Sequence, residues 1–523
     1  MSFDLLGQAY RKIPAQIKIC FISGIITGWL THFYMLSHKL LNWDDVNNIS
    51  AYGSGDYLGR WFLKYIHPLG SIYSIPAVHG FLFIVCLSLS ACIIADIMQI
   101  KSKTAAVLIP AVLLTFPSAV STMTFMFMAH TSGIAILMTC AAVWLLRRFK
   151  YGFLPCCALL VCVLGTYQSY ISFAITLMLM GMICDIFHGK KFKEELKTGI
   201  LCAAVLIVCV LIYMWLSHII YPNIDNETYG GIGNMGHIAV SEMPRLMGRC
   251  YKRFLEYFLW KPFAFVTKTA QRANILTCAL ALILFAVLSV QKKIYKDVYT
   301  FAVLVIACAF MPLAAAFVYF MAPEADYSML MLYAYALIYV LVVSMLDYCI
   351  CDWENNRQNL QWKNVARHGI VFITVAVIFV SCYADYLLAN RAYLRTHIAT
   401  ERVQSYFNRI ISMAEATEGF MPGDKLTILG EFYYKDNPSS VEIDWLDSED
   451  LRELSGVALE NGLITSGVRD NFIKIFNSYE TADLGWDEKQ DIMNTAQYQA
   501  MPVYPQEGCT QKINGIRVVK LCE

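Results

Sequence analysis

The chain has 523 residues, 58% of them hydrophobic and only 15% charged, with a net charge of +1. That balance reads as a membrane protein and excludes the basic footprint of a nucleic-acid binder. The 18 cysteines lie mostly in apolar stretches, with no CxxC pair at zinc spacing, so they read as small hydrophobes rather than a disulfide framework or a metal site.

In chain order, a short lead-in holding Arg11 and Lys12 comes first, with no cleavable leader expected. A spanning helix needs about 20 apolar residues. Eleven candidates follow: Ile17–Leu36, Ile75–Met98, Ala105–Val120, Phe125–Leu146, Phe153–Gly165, Ser169–Phe187, Gly199–Ile220, Ala273–Val290, Tyr299–Phe320, Met329–Ile350 and Gly369–Leu388. The third and fifth are short, as a broken or re-entrant helix would be. Alternate loops are basic: Lys101/Lys103, Arg147/Arg148/Lys150, Lys190 to Lys197, Lys292/Lys293/Lys296 and Arg357/Lys363/Arg367. The positive-inside rule then predicts a cytoplasmic N-terminus, with the loop after the first span, the 221–272 loop and everything after Leu388 on the outer face. The span interiors are poor in ionisable groups, which argues against an ion-coupled transporter.

The first outer loop carries Asn42-Trp43-Asp44-Asp45 and then Gly59-Arg60-Trp61. Two readings of Asp44 and Asp45 stand: a cap on an interfacial helix, or chemistry beside the membrane. A helix from Tyr57 would set Arg60, Lys64 and His67 on one face, as a cationic stripe for a phosphate or as plain interfacial anchoring, with Trp61, Phe62 and Tyr65 among the headgroups. His79 and His130, near outer helix ends, read as satisfied polar contacts. The tight turn Gly165 to Tyr170 offers Tyr167 and Gln168 either to a sugar or to an aromatic belt and polar turn.

The 221–272 loop contains a Gly-rich run, Tyr229 to Asn234, that lacks the phosphate-loop pattern. After it, an amphipathic stretch from Met243 to Phe258 sets Arg245, Arg249, Lys252 and Arg253 on its polar face, for a lipid phosphate or simply for water. Pro323 to Tyr327 adds Glu324 and Asp326 at the same surface, to bind sugar hydroxyls or cap a hairpin. Beyond Leu388 the composition turns polar. A helix over Arg391–Thr417, a strand over Lys425–Gly430, helices over Glu449–Glu460 and Asp470–Tyr479, and an Asn514-Gly515 hairpin are expected. That hairpin sets Cys509 opposite Lys520, so a Cys509–Cys522 disulfide would need a bulge or a frayed end.

The first-loop Asp pair, Gly59-Arg60-Trp61, Thr166-Tyr167-Gln168 and the tail Met501-Pro502-Val503-Tyr504-Pro505 with Gly508 and Ile516 to Leu521 together resemble the bacterial polytopic glucosyltransferases that decorate O-antigen, a family of membrane-embedded C-type glycosyltransferases (GT-C). The tail departs from the pattern at Cys509, where a small polar residue is expected. The resemblance runs along most of the chain, and it accords with the fold expected from hydropathy and from the composition change after Leu388: an α-helical polytopic membrane protein of about eleven transmembrane helices, GT-C-like, with a small C-terminal extracytoplasmic α/β domain, divided as 1–390 and 391–523. It further implies a bacterial cytoplasmic-membrane enzyme that passes a hexosyl, commonly glucosyl, group from a polyprenyl-phosphate donor to a surface glycan, with an Asp of the first outer loop as catalyst.

The residues suit that chemistry. One of Asp44 and Asp45 serves as general base, and the other positions it or binds acceptor, because neighbouring side chains point apart. Arg60, Lys64 and Arg249 face the donor phosphate, and Tyr167, Gln168, Glu324 and Asp326 face the sugar or acceptor. No third ligand accompanies the carboxylates, so no metal or other cofactor is assigned. Membrane lipid is a partner and nucleic acid is not. The competing reading is a transporter or flippase of lipid-linked saccharides, which leaves the large outer region and the outer carboxylates without a task.

Overall fold

A computed structural model describes the chain except residues 1–4, 54, 225–234, 236–237, 261, 324–327, 356–360, 431–447, 452, 458–459 and 522–523. The Gly-rich run, Glu324, Asp326 and Cys522 therefore lie outside the described residues.

Among the described residues, nine helices are long and apolar enough to cross a membrane. This is the pattern of a multi-pass membrane protein, with fewer full-length spans than the eleven expected. The two short candidates account for the difference. The third is a bent pair, Lys103–Thr115 and Pro117–Thr124, kinked by 45°. Phe116 is extended before Pro117 (φ −53°, ψ 141°), as a residue preceding proline prefers. The fifth is a helix of only 12 residues, Phe153–Leu164. Tyr170–Phe187 and the helix from Tyr333 are almost wholly enclosed, whereas Phe192–Ile220 turns Ile207, Leu211 and Trp215 outward. The first pair forms the centre of the bundle and the last its lipid-facing rim.

The loops expected to be cytoplasmic gather at one end. Arg147 (2.9 Å) and Lys190 (2.7 Å) both pair with Asp185, and Lys292 reaches Asp352 at 2.7 Å. The opposite end carries the Asp44/Asp45 loop.

The chain leaves the bundle in a single 55-residue helix, Gln361–Glu415, that joins the predicted last span to the predicted polar helix without a break. At about 1.5 Å per residue it is far longer than a bilayer is thick. Beyond it lies a three-stranded sheet of β1 (Leu426–Leu429), β2 (Thr510–Ile513) and β3 (Ile516–Lys520), in the order β1-β3-β2. β3 is parallel to β1 and antiparallel to β2, with Ile513 opposite Ile516. Asn514 (φ 51°) and Gly515 (φ 82°) supply the two left-handed positions of a two-residue hairpin. Lys520 N–H bonds Cys509 O at 3.0 Å, as the expected register requires.

The region beyond the long helix is anchored to the first loop. Leu41 and Val46 share one apolar core with Val403, Phe407, Ile410 and Phe472. Thr124 Oγ1 donates to Ser455 O at 3.1 Å, and Gly456 lies against Thr124 and Phe125. The tail therefore forms part of the wall around the site at that end of the bundle.

Candidate active site

At that end a cavity of about 440 Å³ is lined by Asp44, Arg60, Tyr167 and Gln168, with Phe127 and Ser455 among the other walls. Four predicted site residues from two distant stretches of sequence thus meet in one place.

Asp44 and Asp45 lie in the first turn of a short helix, Trp43–Asn47. The cap is neither of them. Asn42 Oδ1 accepts the Asp45 N–H at 2.8 Å, while Asn42 Nδ2 donates to Thr124 O at 2.6 Å. The capping alternative therefore belongs to Asn42, a residue well suited to it, and both carboxylates are left for other work.

The two carboxylates face different surroundings. Asp45 is fully buried; its Oδ1 accepts the Phe127 N–H at 2.9 Å, and its Oδ2 has no hydrogen-bond partner among the described residues. Burial pushes its pKa up to about 7, against the opposing pull of Lys39. Lys39 is itself pushed down by burial and held up by Asp45, and its ammonium donates to Ser74 O and Oγ, both at 2.8 Å. Asp44 is half-buried and lines the cavity. Burial raises its pKa while Arg60 pulls it down, so the carboxylate is a stronger base than one in water yet keeps a cation nearby.

Arg60 is placed by two docked loops. Phe62 N–H donates to Gly165 O at 2.7 Å, and the Trp61 indole sits directly on Gly165, where a side chain would collide with it. Gln168 Nε2 donates to Leu58 O (2.7 Å) and to the Tyr213 hydroxyl (2.8 Å). The Arg60 guanidinium lies over the Tyr167 ring, 4.9 Å from its centroid, and its Nε is buried without a hydrogen-bond partner among the described residues.

The expected cationic stripe is not formed. A 3₁₀ turn, Asp56–Leu58, ends at Gly59 in the left-handed region (φ 67°), and a separate one-turn helix, Leu63–Ile66, follows. Arg60 faces the cavity, Lys64 lies 3.9 Å from Asp56 away from it, and His67 is buried. Trp61 is likewise buried, with Nε1 3.3 Å from Ser217 Oγ, rather than resting among headgroups; Tyr65 is exposed. Arg249 stands on the helix Met243–Leu255 and donates to Pro323 O at 2.6 Å, in a surface depression shared with Arg245, Lys252 and Arg253 and separate from the main cavity. His130 Nε2 bonds His67 O (2.8 Å) and His79 Nδ1 bonds Met126 O (3.1 Å). These rings tie the 67–71 turn to the backbone that holds Asp45.

Sequence reasoning missed Lys39, the Asn42 cap, the Phe127 N–H, Tyr213 and Ser455. Only Asn42, directly before an acidic pair, carries a local signal that could have found it.

The profile of the Glucosyl transferase GtrII family matches residues 33–345, more than half of the chain. The chain belongs to this family. GtrII membership agrees with the resemblance noted in the sequence and makes this chain a glucosyl-transferase-family protein. The GtrII match spans Asp44, Arg60, Tyr167 and Gln168 and stops before the long helix and the sheet. No curated protein and no solved structure matches the chain.

Proposed function

We propose that this chain transfers a hexosyl group, most simply glucosyl, from a polyprenyl-phosphate donor to a surface glycan at the outer face of the bacterial cytoplasmic membrane. The observation that carries the reading is that Asp44 and Arg60 line one cavity: a base and a fixed cation, the two groups such a displacement needs. Asp44 takes the proton of the acceptor hydroxyl as its oxygen bonds the anomeric carbon. The bond from that carbon to the phosphate oxygen breaks, and polyprenyl phosphate leaves with its charge met by Arg60. One base acting in one step inverts the anomeric centre. Asp45 positions the helix that carries Asp44, and Tyr167 orients Arg60 through its ring face. An adjoining apolar groove formed by Leu164, Val210, Met214 and Ile224 shares Gln168, Met235 and Met321 with the cavity. It suits the isoprenoid chain of the donor.

The N-terminus is assigned to the cytoplasm. Residues 1–390 act as a C-type membrane catalytic unit and 391–523 as an outer-face unit. Glu324 and Asp326 keep their proposed acceptor role, and Lys64 and Arg249 at most a long-range electrostatic one. Purified protein given radiolabelled polyprenyl-phosphate glucose and a surface polysaccharide should transfer the label, whereas a nucleotide glucose in place of that donor should yield none. Efficient direct use of the nucleotide sugar would overturn the donor assignment.

A further inference from the structure

A second cavity, of about 230 Å³, is lined by Arg253, Glu256, Tyr257, Tyr319, Tyr335 and Glu453 among others. We propose that it is a sugar-binding subsite that holds a hexose unit of the acceptor glycan away from the reacting one. The inference rests on the transferase reading above for its purpose and on the cavity alone for its ligand chemistry.

The side chains point to a neutral, hydroxyl-rich ligand. Two carboxylates face one guanidinium, and Arg253 Nη1 already donates to Glu256 at 3.0 Å. Lys252 lies 3.9 Å from Glu256 as well, so among the described residues two cations balance the two carboxylates and leave no surplus positive charge for a phosphate. Carboxylates accept hydrogen bonds from hydroxyls, and tyrosine rings offer flat apolar faces with a polar edge to a pyranose. The volume lies below the ~300–1,000 Å³ usual for larger ligands, which fits one sugar ring.

A second, independent observation marks the cavity as built for a ligand. Tyr335 is fully buried among Phe254, Tyr257 and Phe258, with ring centroids 5.1 to 5.7 Å away, yet its hydroxyl has no hydrogen-bond partner among the described residues. A buried hydroxyl normally has one, and a sugar oxygen in this cavity supplies it.

The position suits an extended acceptor. Three stretches wall both cavities. Val318 lines the main one and Tyr319 the second; Met331 the main and Leu332 the second; Ser455 the main and Glu453 the second. A glycan reaching Asp44 with one residue can therefore set another across that wall. Glu453, one oxygen of which is held by the Ala264 N–H, comes from the tail outside the family match, so the tail contributes to the choice of acceptor.

The test is saturation-transfer NMR on the full-length protein in detergent, using methyl glucoside, galactoside, mannoside and N-acetylglucosaminide. It needs no turnover, so it is independent of the donor assignment. Tyr335→Phe removes only an unpartnered hydroxyl, a change that apolar surroundings tolerate, and Glu453→Gln keeps the side-chain shape. At least one hexoside should bind, with its signal falling about threefold or more in each variant, as loss of one hydrogen bond predicts. A smaller fall, no bound hexoside, or loss confined to Arg60→Ala would overturn the subsite.

Discussion

The guanidinium of Arg60 lies over the ring of Tyr167 at 4.9 Å, and the Arg60 Nε is buried without a hydrogen-bond acceptor among the described residues. The ring fixes the cation beside the cavity, where the proposed donor phosphate would meet it. Arg60→Ala should raise the KM for polyprenyl-phosphate glucose about tenfold or more, the range for a lost charge-assisted hydrogen bond. Acceptor KM should move much less. Arg60→Lys should recover only part of the loss, because an ammonium lacks the flat stacking face. Kinetics with donor and acceptor varied separately decide this, and an unchanged donor KM would remove Arg60 from the phosphate.

Gly59 is the hinge that aims Arg60. Its φ of 67° disfavours a side chain, and a Cβ there would run into the Tyr213 hydroxyl that Gln168 holds at 2.8 Å. Gly59→Ala should therefore cost about 1–2 kcal/mol from the left-handed backbone alone and displace Arg60, lowering transfer. Gly369, inside the long helix with open space around it, is the control. Gly369→Ala should keep full transfer and gain slightly in thermal stability. Equal transfer by the two variants would show that the turn does not aim the cation.

Asp45 makes stability depend on pH. Its pKa rises from 3.8 to about 7 on folding, so the folded chain holds the proton more tightly than the unfolded one. The stabilisation from that proton is complete below about pH 3.8 and is lost as pH rises through about 7. Asp45→Asn has no such titration and can still accept the Phe127 N–H. The melting temperature of Asp45→Asn relative to the native chain should thus become more favourable from about pH 5 to about pH 8. A difference that stays flat or reverses would show that Asp45 is not buried as a proton-binding carboxyl.

Hydropathy was enough to locate the helices, because spanning length is a local property. It also singled out the third and fifth candidates, where Pro117 breaks one helix and the other closes after 12 residues. Asp44, Arg60 and Tyr167 were legible as chemistry-bearing types in turns between spans. What joins them was not. The fit of Trp61 onto Gly165, the hold of Phe127 on Asp45 and the placing of Ser455 over the cavity are contacts between distant segments with no periodicity to read. The Arg60/Lys64/His67 stripe failed for a local reason: Gly59 in the left-handed region ends the turn that a continuous helix would need.

The central claim is that Asp44, and not Asp45, takes the acceptor proton, and transfer by purified Asp44→Asn tests it most directly. The Asn42 cap and the helix it holds do not involve the Asp44 carboxylate, so the variant should fold and insert normally. With polyprenyl-phosphate glucose and acceptor saturating, transfer should fall by about 10² to 10⁴, the usual worth of a general base, while Asp45→Asn is impaired far less. Near-native transfer by a folded Asp44→Asn, or abolition by Asp45→Asn alone, would contradict the account.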